Sequence, residues 1–174
     1  MTETTECRTF FGKYRGSVVN NIDPEQRGRI QVQVADVSAA GFTAWAMPCL
    51  PVGGQQMGFF TVPPMGSGVW VEFEQGDLDC PVWVGAYWGG SSELPPLAKQ
   101  LIPGQGGVVL QTTGQNGLML SDLPGPTGGL MVKSAAGASL IVNDTGIFLD
   151  NGKGAKIELV GNMVKINDTA LTVT

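Results

Sequence analysis

Hydrophobic and polar positions alternate along this chain in short runs, each cut within a few residues by Gly, Pro, Asn or Asp. Val69, Val71 and Phe73 alternate with Trp70, Glu72 and Glu74, and Ile30, Val32 and Val34 alternate in the same way. This is the mark of strands with one buried face. No window of ten or more residues carries apolar positions at i, i+3, i+4 and i+7 without a Gly or Pro inside it. Long helices are therefore not expected, and the fold class is all-β.

The N-terminal half reads as strands and turns. KYRGSVVNNIDPEQRGRIQVQV holds two β-rich runs joined by a turn at Asp23-Pro24 and Gly28. A further strand is expected within Trp45 to Val52, interrupted by Pro48 and Pro51. GFFTVPPMGSGVWVEFE is read as a strand pair connected through Pro63-Pro64 and Gly66 to Gly68, and Pro81 to Tyr87 as a last strand. Roughly five or six strands in about eighty residues is the size of a small closed barrel such as an OB-fold. Ile30, Val32, Val34, Val69, Val71 and Phe73 are its expected core.

The C-terminal half has another rhythm. Apolar–x–apolar triplets begin at residues 108, 118, 130, 140, 147, 157, 164 and 171, most separated by Gly, Asn or Asp. Their inward positions are expected to be Val108, Leu110, Leu118, Leu120, Leu130, Val132, Leu140, Val142, Ile147, Leu149, Ile157, Leu159, Val164 and Ile166. Eight short strands with one apolar face resemble a solenoid, but such thin rungs cannot enclose a core alone. Three chains around one axis solve this, each giving one face to a shared interior. The expectation from this pattern is an obligate oligomer, a homotrimer before any other.

Composition divides the chain at about the same place. Twelve of the thirteen aromatic residues lie between Phe10 and Trp88, and residues 1–94 hold five Lys/Arg against ten Asp/Glu, whereas residues 95–174 hold five of each. The boundaries read as an N-terminal extension over 1–10, an OB-fold-like barrel over 11–92, a Gly-, Ser- and Pro-rich linker over 93–106 and the β-helix over 107–174. The net charge of −5 disfavours contact with phosphate backbones, and the absence of His removes the commonest general base and metal ligand. Cys7, Cys49 and Cys80 match no metal-binding spacing and are expected as free thiols of a reducing cytoplasm, Cys49 and Cys80 buried. MTETTECR carries no apolar stretch of a signal peptide, and no apolar run is long enough for a membrane-spanning helix.

GKYRGSVVNNIDPEQRGRIQVQV, WAMPCLPVGG, GFFTVPPMGSGVWVEFEQGDLDCPVWVGAYWG and the strand–Gly repeats after them, taken in that order, resemble the spike proteins of contractile injection systems: the phage baseplate assembly protein V family and the related OB-fold region of VgrG. The resemblance runs from about Gly12 to Gly89 and more loosely to the end. It implies an OB-fold barrel followed by a β-helix of three interwound chains, at the centre of a baseplate below the tube. Such a trimer plugs the tube and is driven through the target envelope on sheath contraction. It implies assembly in the cytoplasm, then residence in a phage tail or phage-tail-like particle, with transient contact with a target membrane. Some relatives hold iron at the tip through His residues, which this chain lacks, so a PAAR-like tip protein is the expected cap, seated at Leu171, Thr172, Val173 and Thr174. A separate hub protein is expected to join the spike to the tube. The short interval between Trp88 and Gly104 leaves no room for the lysozyme domain that some relatives carry.

Several residue groups offer chemistry of their own. Glu72, Glu74, Asp77 and Asp79 offer a carboxylate pair or a Ca²⁺ site, but alternate strand positions and turn composition account for them. Asp144, Asp150 and Asp168, and the loop DNGKGAK, are read as turns, with a β-helix polysaccharide-acting enzyme as an alternative. Trp70, Trp83, Tyr87 and Trp88, with Arg8, Lys13, Arg15, Arg27 and Arg29, leave open an OB-fold module binding single-stranded nucleic acid or glycan. No catalytic residue, metal or cofactor and no nucleic-acid partner is expected.

Overall fold

The computed structural model describes residues 9–37, 41–168 and 170–173. Cys7, Arg8, Thr174 and most of the N-terminal extension lie outside the described residues. The chain forms two compact units, Met1–Ser91 and Ser92–Thr174. Both are built from strands and 3₁₀ turns.

The first unit contains β1 (Tyr14–Asn20), β2 (Gln31–Gln33), β3 (Met47–Pro48), β4 (Gly53–Gly54), β5 (Met57–Gly58), β6 (Gly68–Phe73) and β7 (Pro81–Tyr87). Five of these make one sheet in the order β2-β1-β6-β7-β3, antiparallel except for the parallel β3–β7 pair. Ile30 and Ala46 close it into a barrel. They form an antiparallel bridge between the two ends of the sheet, with Ala46 N–H donating to Ile30 O at 2.8 Å and Ile30 N–H to Ala46 O at 3.2 Å. Closure removes the unpaired edges that an open sheet of this size would present. Period-two alternation sends Val69, Val71 and Phe73 inward, where they meet Val18, Ile30, Val32, Val34, Ala46 and Trp83 in one buried cluster. Gly16 is required by packing: a Cβ there would collide with Val32 Cγ1.

Two expectations for this unit fail. Phe59 to Val62 is not a strand: its one ladder-like bond is Phe59 N–H to Val52 O, and Pro63-Pro64 supplies no N–H to continue a ladder. Trp45 to Val52 is reduced to the two residues of β3, followed by the separate β4–β5 ribbon.

The second unit contains β8 (Gly107–Gln111), β9 (Gly117–Ser121), β10 (Gly129–Lys133), β11 (Ser139–Asn143), β12 (Gly146–Asp150), β13 (Lys156–Val160), β14 (Met163–Ile166) and β15 (Leu171–Val173). They pair consecutively as one eight-stranded antiparallel sheet. Each of the eight triplets lies inside one strand, so the Gly, Asn and Asp positions between them are the turns.

The segment read as a linker is not a free tether along its whole length. Leu97 is fully buried, its N–H donates to Gln111 Oε1 at 3.0 Å, and its Cδ1 occupies the space that a Cβ on Gly117 would need. Leu101 lies in the same way over Gly107.

Candidate functional site

Strict antiparallel register brings the sixteen triplet ends into two columns on one face of the eight-stranded sheet. One column runs Val108, Leu120, Leu130, Val142, Ile147, Leu159, Val164, Val173, each residue directly opposite the next on the adjacent strand. The other runs Leu110, Leu118, Val132, Leu140, Leu149, Ile157, Ile166, Leu171. Every member is Val, Leu or Ile. Twelve of the sixteen are 37% to 56% exposed, and Leu118, Leu130, Leu140 and Val142 are half-buried. Monomers rarely leave so large a continuous apolar surface in water.

The middle residue of each triplet points to the opposite face. That column reads Val109, Met119, Met131, Ile141, Phe148, Glu158 and Lys165, so it changes from apolar to charged along the sheet. Met119 is buried there, on the face that also carries Gln111 and Gly117, the residues touched by Leu97. The two faces therefore differ: one is an unbroken aliphatic surface, and the other is mixed and partly covered by the chain's own segment.

Of the proposed tip residues, Leu171 and Val173 end the two columns and are more than half exposed. Thr172 pairs with Lys165 through its backbone, its side chain lies outside the described residues, and so does Thr174.

Among the acidic candidates, Glu72, Asp77, Asp144 and Asp150 are held in structural roles. Glu72 accepts from the Lys13 ammonium. Asp77 Oδ1 accepts from its own turn at Asp79 N–H, 3.0 Å. Asp144 Oδ2 accepts from Gly125 N–H at 3.0 Å, and Asp150 accepts from Gly152 N–H and pairs with Lys156 at 3.6 Å. Asp168 occupies a turn at φ +60°. In DNGKGAK, Asn151 Oδ1 accepts from Lys153 and Ala155 N–H, a turn closed on itself. Among the described residues no group of three or more His, Cys, Asp or Glu is arranged to hold a metal ion.

Among the basic and aromatic candidates, Arg15, Trp70 and Tyr87 come together, while Trp83 belongs to the core. Trp83 is buried and its Nε1–H donates to Gly28 O at 3.1 Å. Trp70 and Tyr87 lie 5.0 Å apart with the Arg15 guanidinium over both rings. Arg27 pairs with Glu25. Trp88 is exposed, and no helix among the described residues is long and apolar enough to cross a membrane. Cys49 and Cys80 are both exposed, contrary to expectation, because each follows or precedes a strand end instead of facing the barrel core.

Sequence reading took Asp23 only as a turn former, and the structure gives it more. Its carboxylate is buried and accepts from the backbone N–H of Glu25, Arg27 and Arg29 and from the Arg29 guanidinium, with Arg29 Nη2 at 2.7 Å from Oδ1. Arg29 in turn stacks on Trp45, 5.7 Å from the ring centre. The Arg29 hydrogen bond holds the Asp23 carboxyl well below the usual carboxylate range, with the three backbone donors adding and burial opposing. One carboxylate thus fixes the whole β1–β2 connection. The spacing D-P-E-x-x-G-R was visible in the sequence and was the signal that could have found it.

Comparison with known families returns two matches, in chain order. Residues 14–88 match the type VI secretion system/phage-baseplate injector OB domain. Residues 107–172 match the phage baseplate V C-terminal trimerisation domain. No curated protein matches the chain.

Proposed function

This chain belongs to the phage baseplate V family of injection-system proteins, with a structural role in a baseplate, and from that premise we propose that it is the central spike: three copies join through their aliphatic columns, plug the tube and pierce the target envelope when the sheath contracts. The observation that carries this reading is the sixteen-residue Val/Leu/Ile face of the second unit. Removing the remaining exposure of each such side chain contributes about 1 kcal/mol, on the order of 15 kcal/mol per chain. That is comparable to or larger than the ~4–15 kcal/mol that association costs in lost freedom. The match of residues 107–172 to a trimerisation domain supports three chains around the shared interior.

The mechanical role follows from the same arrangement. Three interwound chains resist buckling and unfolding under load, because none can leave without breaking its contacts with both others, and the aliphatic columns give them one dry interior. Folding of the second unit and association are then one event. Leu171 and Val173 end the columns, and an exposed aliphatic edge there fits a PAAR-like tip protein. A separate hub protein joins the barrel to the tube, and the finished particle meets the target membrane only transiently. The protein does this without a cofactor and without catalysis. Assembly takes place in the cytoplasm before incorporation into a phage tail or phage-tail-like particle.

Light scattering of the dilute protein tests the reading. A mass near 55 kDa, about three times the 18.2 kDa chain, that persists after heating supports it. An 18 kDa particle with the aliphatic face intact would sink it.

A further inference from the structure

The least integrated part of the barrel unit is the segment between β3 and β6. β4 and β5 pair only with each other, Gly53 opposite Gly58 and Gly54 opposite Met57, in a sheet of their own. Phe59 N–H donating to Val52 O at 3.1 Å extends this ribbon by one rung. Every residue from 51 to 61 is exposed. A two-stranded ribbon with no packed face is marginal in water, and this one leaves Val52, Met57, Phe59 and Phe60 uncovered. Its base is nevertheless anchored, because Val62 packs against the barrel core and the Phe60 ring borders Gly28. An arm ordered at its base, carrying four uncovered apolar side chains and no charge, is built to lie on another surface.

Two observations select the occupant. The first is charge. No Asp, Glu, Lys or Arg occurs between Asp36 and Glu72, while residues 1–94 as a whole carry ten acidic against five basic residues. Like-charged barrels repel wherever their ionised surfaces meet, but an arm without a charged group crosses to a neighbour with no ion to desolvate. The second is continuity. The chain leaves the barrel sheet at Tyr87, and Tyr87 is paired with Gly68, the residue at which the segment from the arm enters β6. The arm segment thus rejoins the sheet at the end from which the chain departs toward the residues that match a trimerisation domain. Chains gathered there hold one another's barrels at about millimolar effective concentration.

We propose that the arm from Val52 to Phe60 packs against the barrel unit of a neighbouring copy of this chain. This rests on the trimeric reading above, and the contact it adds lies outside the aliphatic columns. In the assembled particle the arm would tie adjacent barrels together, so that the barrel ring resists splaying as well as the shaft.

The test places photo-reactive benzoylphenylalanine at Met57 or Phe60 in the purified full chain, with Leu78 in the β6–β7 turn as a surface control and Val132 as a reporter on the aliphatic face. Irradiation is expected to give chain-dimer adducts on denaturing gels from Met57, Phe60 and Val132, and none above background from Leu78. Adducts from Val132 alone would leave the trimer standing and overturn the arm contact. Adducts from the arm without Val132 would uphold the contact and sink the aliphatic-face reading. A monomeric mass with no adduct at any position would overturn both.

Discussion

Leu140 on β11 and Leu149 on β12 stand directly opposite one another, and each is flanked in the same column by a further aliphatic residue, Val132 and Ile157. No polar side chain interrupts this row from Leu110 to Leu171. A charge placed in it therefore has no partner to turn to, and three-fold association would stack three such charges in one dry layer. Leu140→Asp is expected to abolish assembly, dropping the light-scattering mass to that of one chain or giving aggregates. Glu158→Gln, on the opposite face across from Phe148, is expected to leave the mass unchanged. Heat-resistant trimers of Leu140→Asp would refute the shared interior.

The Asp23–Arg29 pair makes the barrel acid-sensitive in a defined direction. Its carboxyl is held below its ordinary value in the folded state, so the stabilisation is complete above the unfolded value of about 3.9 and is lost as pH falls through and below it. Glu25, lowered first by its hydrogen bond to Arg27 and then by Arg29, acts in the same sense. Thermal unfolding followed by Trp fluorescence from pH 7 to pH 3 is expected to show the midpoint falling by several degrees toward the acid end. Asp23→Asn is expected to lower the midpoint at pH 7 and to flatten that acid dependence. An unchanged pH profile in the variant would remove Asp23 as its source.

What was legible in the sequence was whatever local alternation fixes. Val69, Val71 and Phe73 announce β6 because a half-buried strand must alternate, and the triplets announce β8 to β15 because their turns are written in Gly, Asn and Asp. The all-β class followed from these, whereas the spike resemblance rests on the ordered motifs from Gly12 to Gly89. What was not legible depends on long-range contact. The Ile30–Ala46 bridge that closes the barrel involves no motif. Leu97 sits in a stretch of linker composition, and its burial is decided by the absence of a side chain on Gly117, twenty residues later. Phe59 and Phe60 have strand-forming side chains, but Pro63-Pro64 a few residues on cannot donate to a ladder. Cys49 and Cys80 follow apolar or Pro-flanked sequence, yet they sit at strand ends where the barrel wall no longer covers them.

Trp83 couples the last barrel strand to the β1–β2 connection through one donor. Its indole N–H reaches Gly28 O, and Gly28 itself adopts φ +78°, a conformation that favours glycine. Trp83→Phe keeps most of the ring in the core and removes only that donor, leaving a carbonyl without its partner. The expected cost is about 1–3 kcal/mol in barrel stability, read from the urea midpoint of the fluorescence of the remaining tryptophans. A change of a few tenths of a kcal/mol would mean that water replaces the indole at Gly28.

Leu97 and Gly117 form a lock that can be opened from either side. Leu97→Ala empties a fully buried site, and large-to-small changes of this kind cost about 2–5 kcal/mol. Gly117→Val fills the same space from the sheet and expels the leucine, since its Cβ would collide with Leu97 Cδ1. Both variants are expected to free residues 92–106 without removing the aliphatic columns, which lie on the other face. Limited proteolysis should then cut within this segment many times faster than in the parent chain, while the light-scattering mass of the uncut protein stays the same. If the segment is cut equally fast in the parent, Leu97 does not hold it down in solution. If the mass also falls, the strap is needed to keep the sheet flat enough for its opposite face to associate.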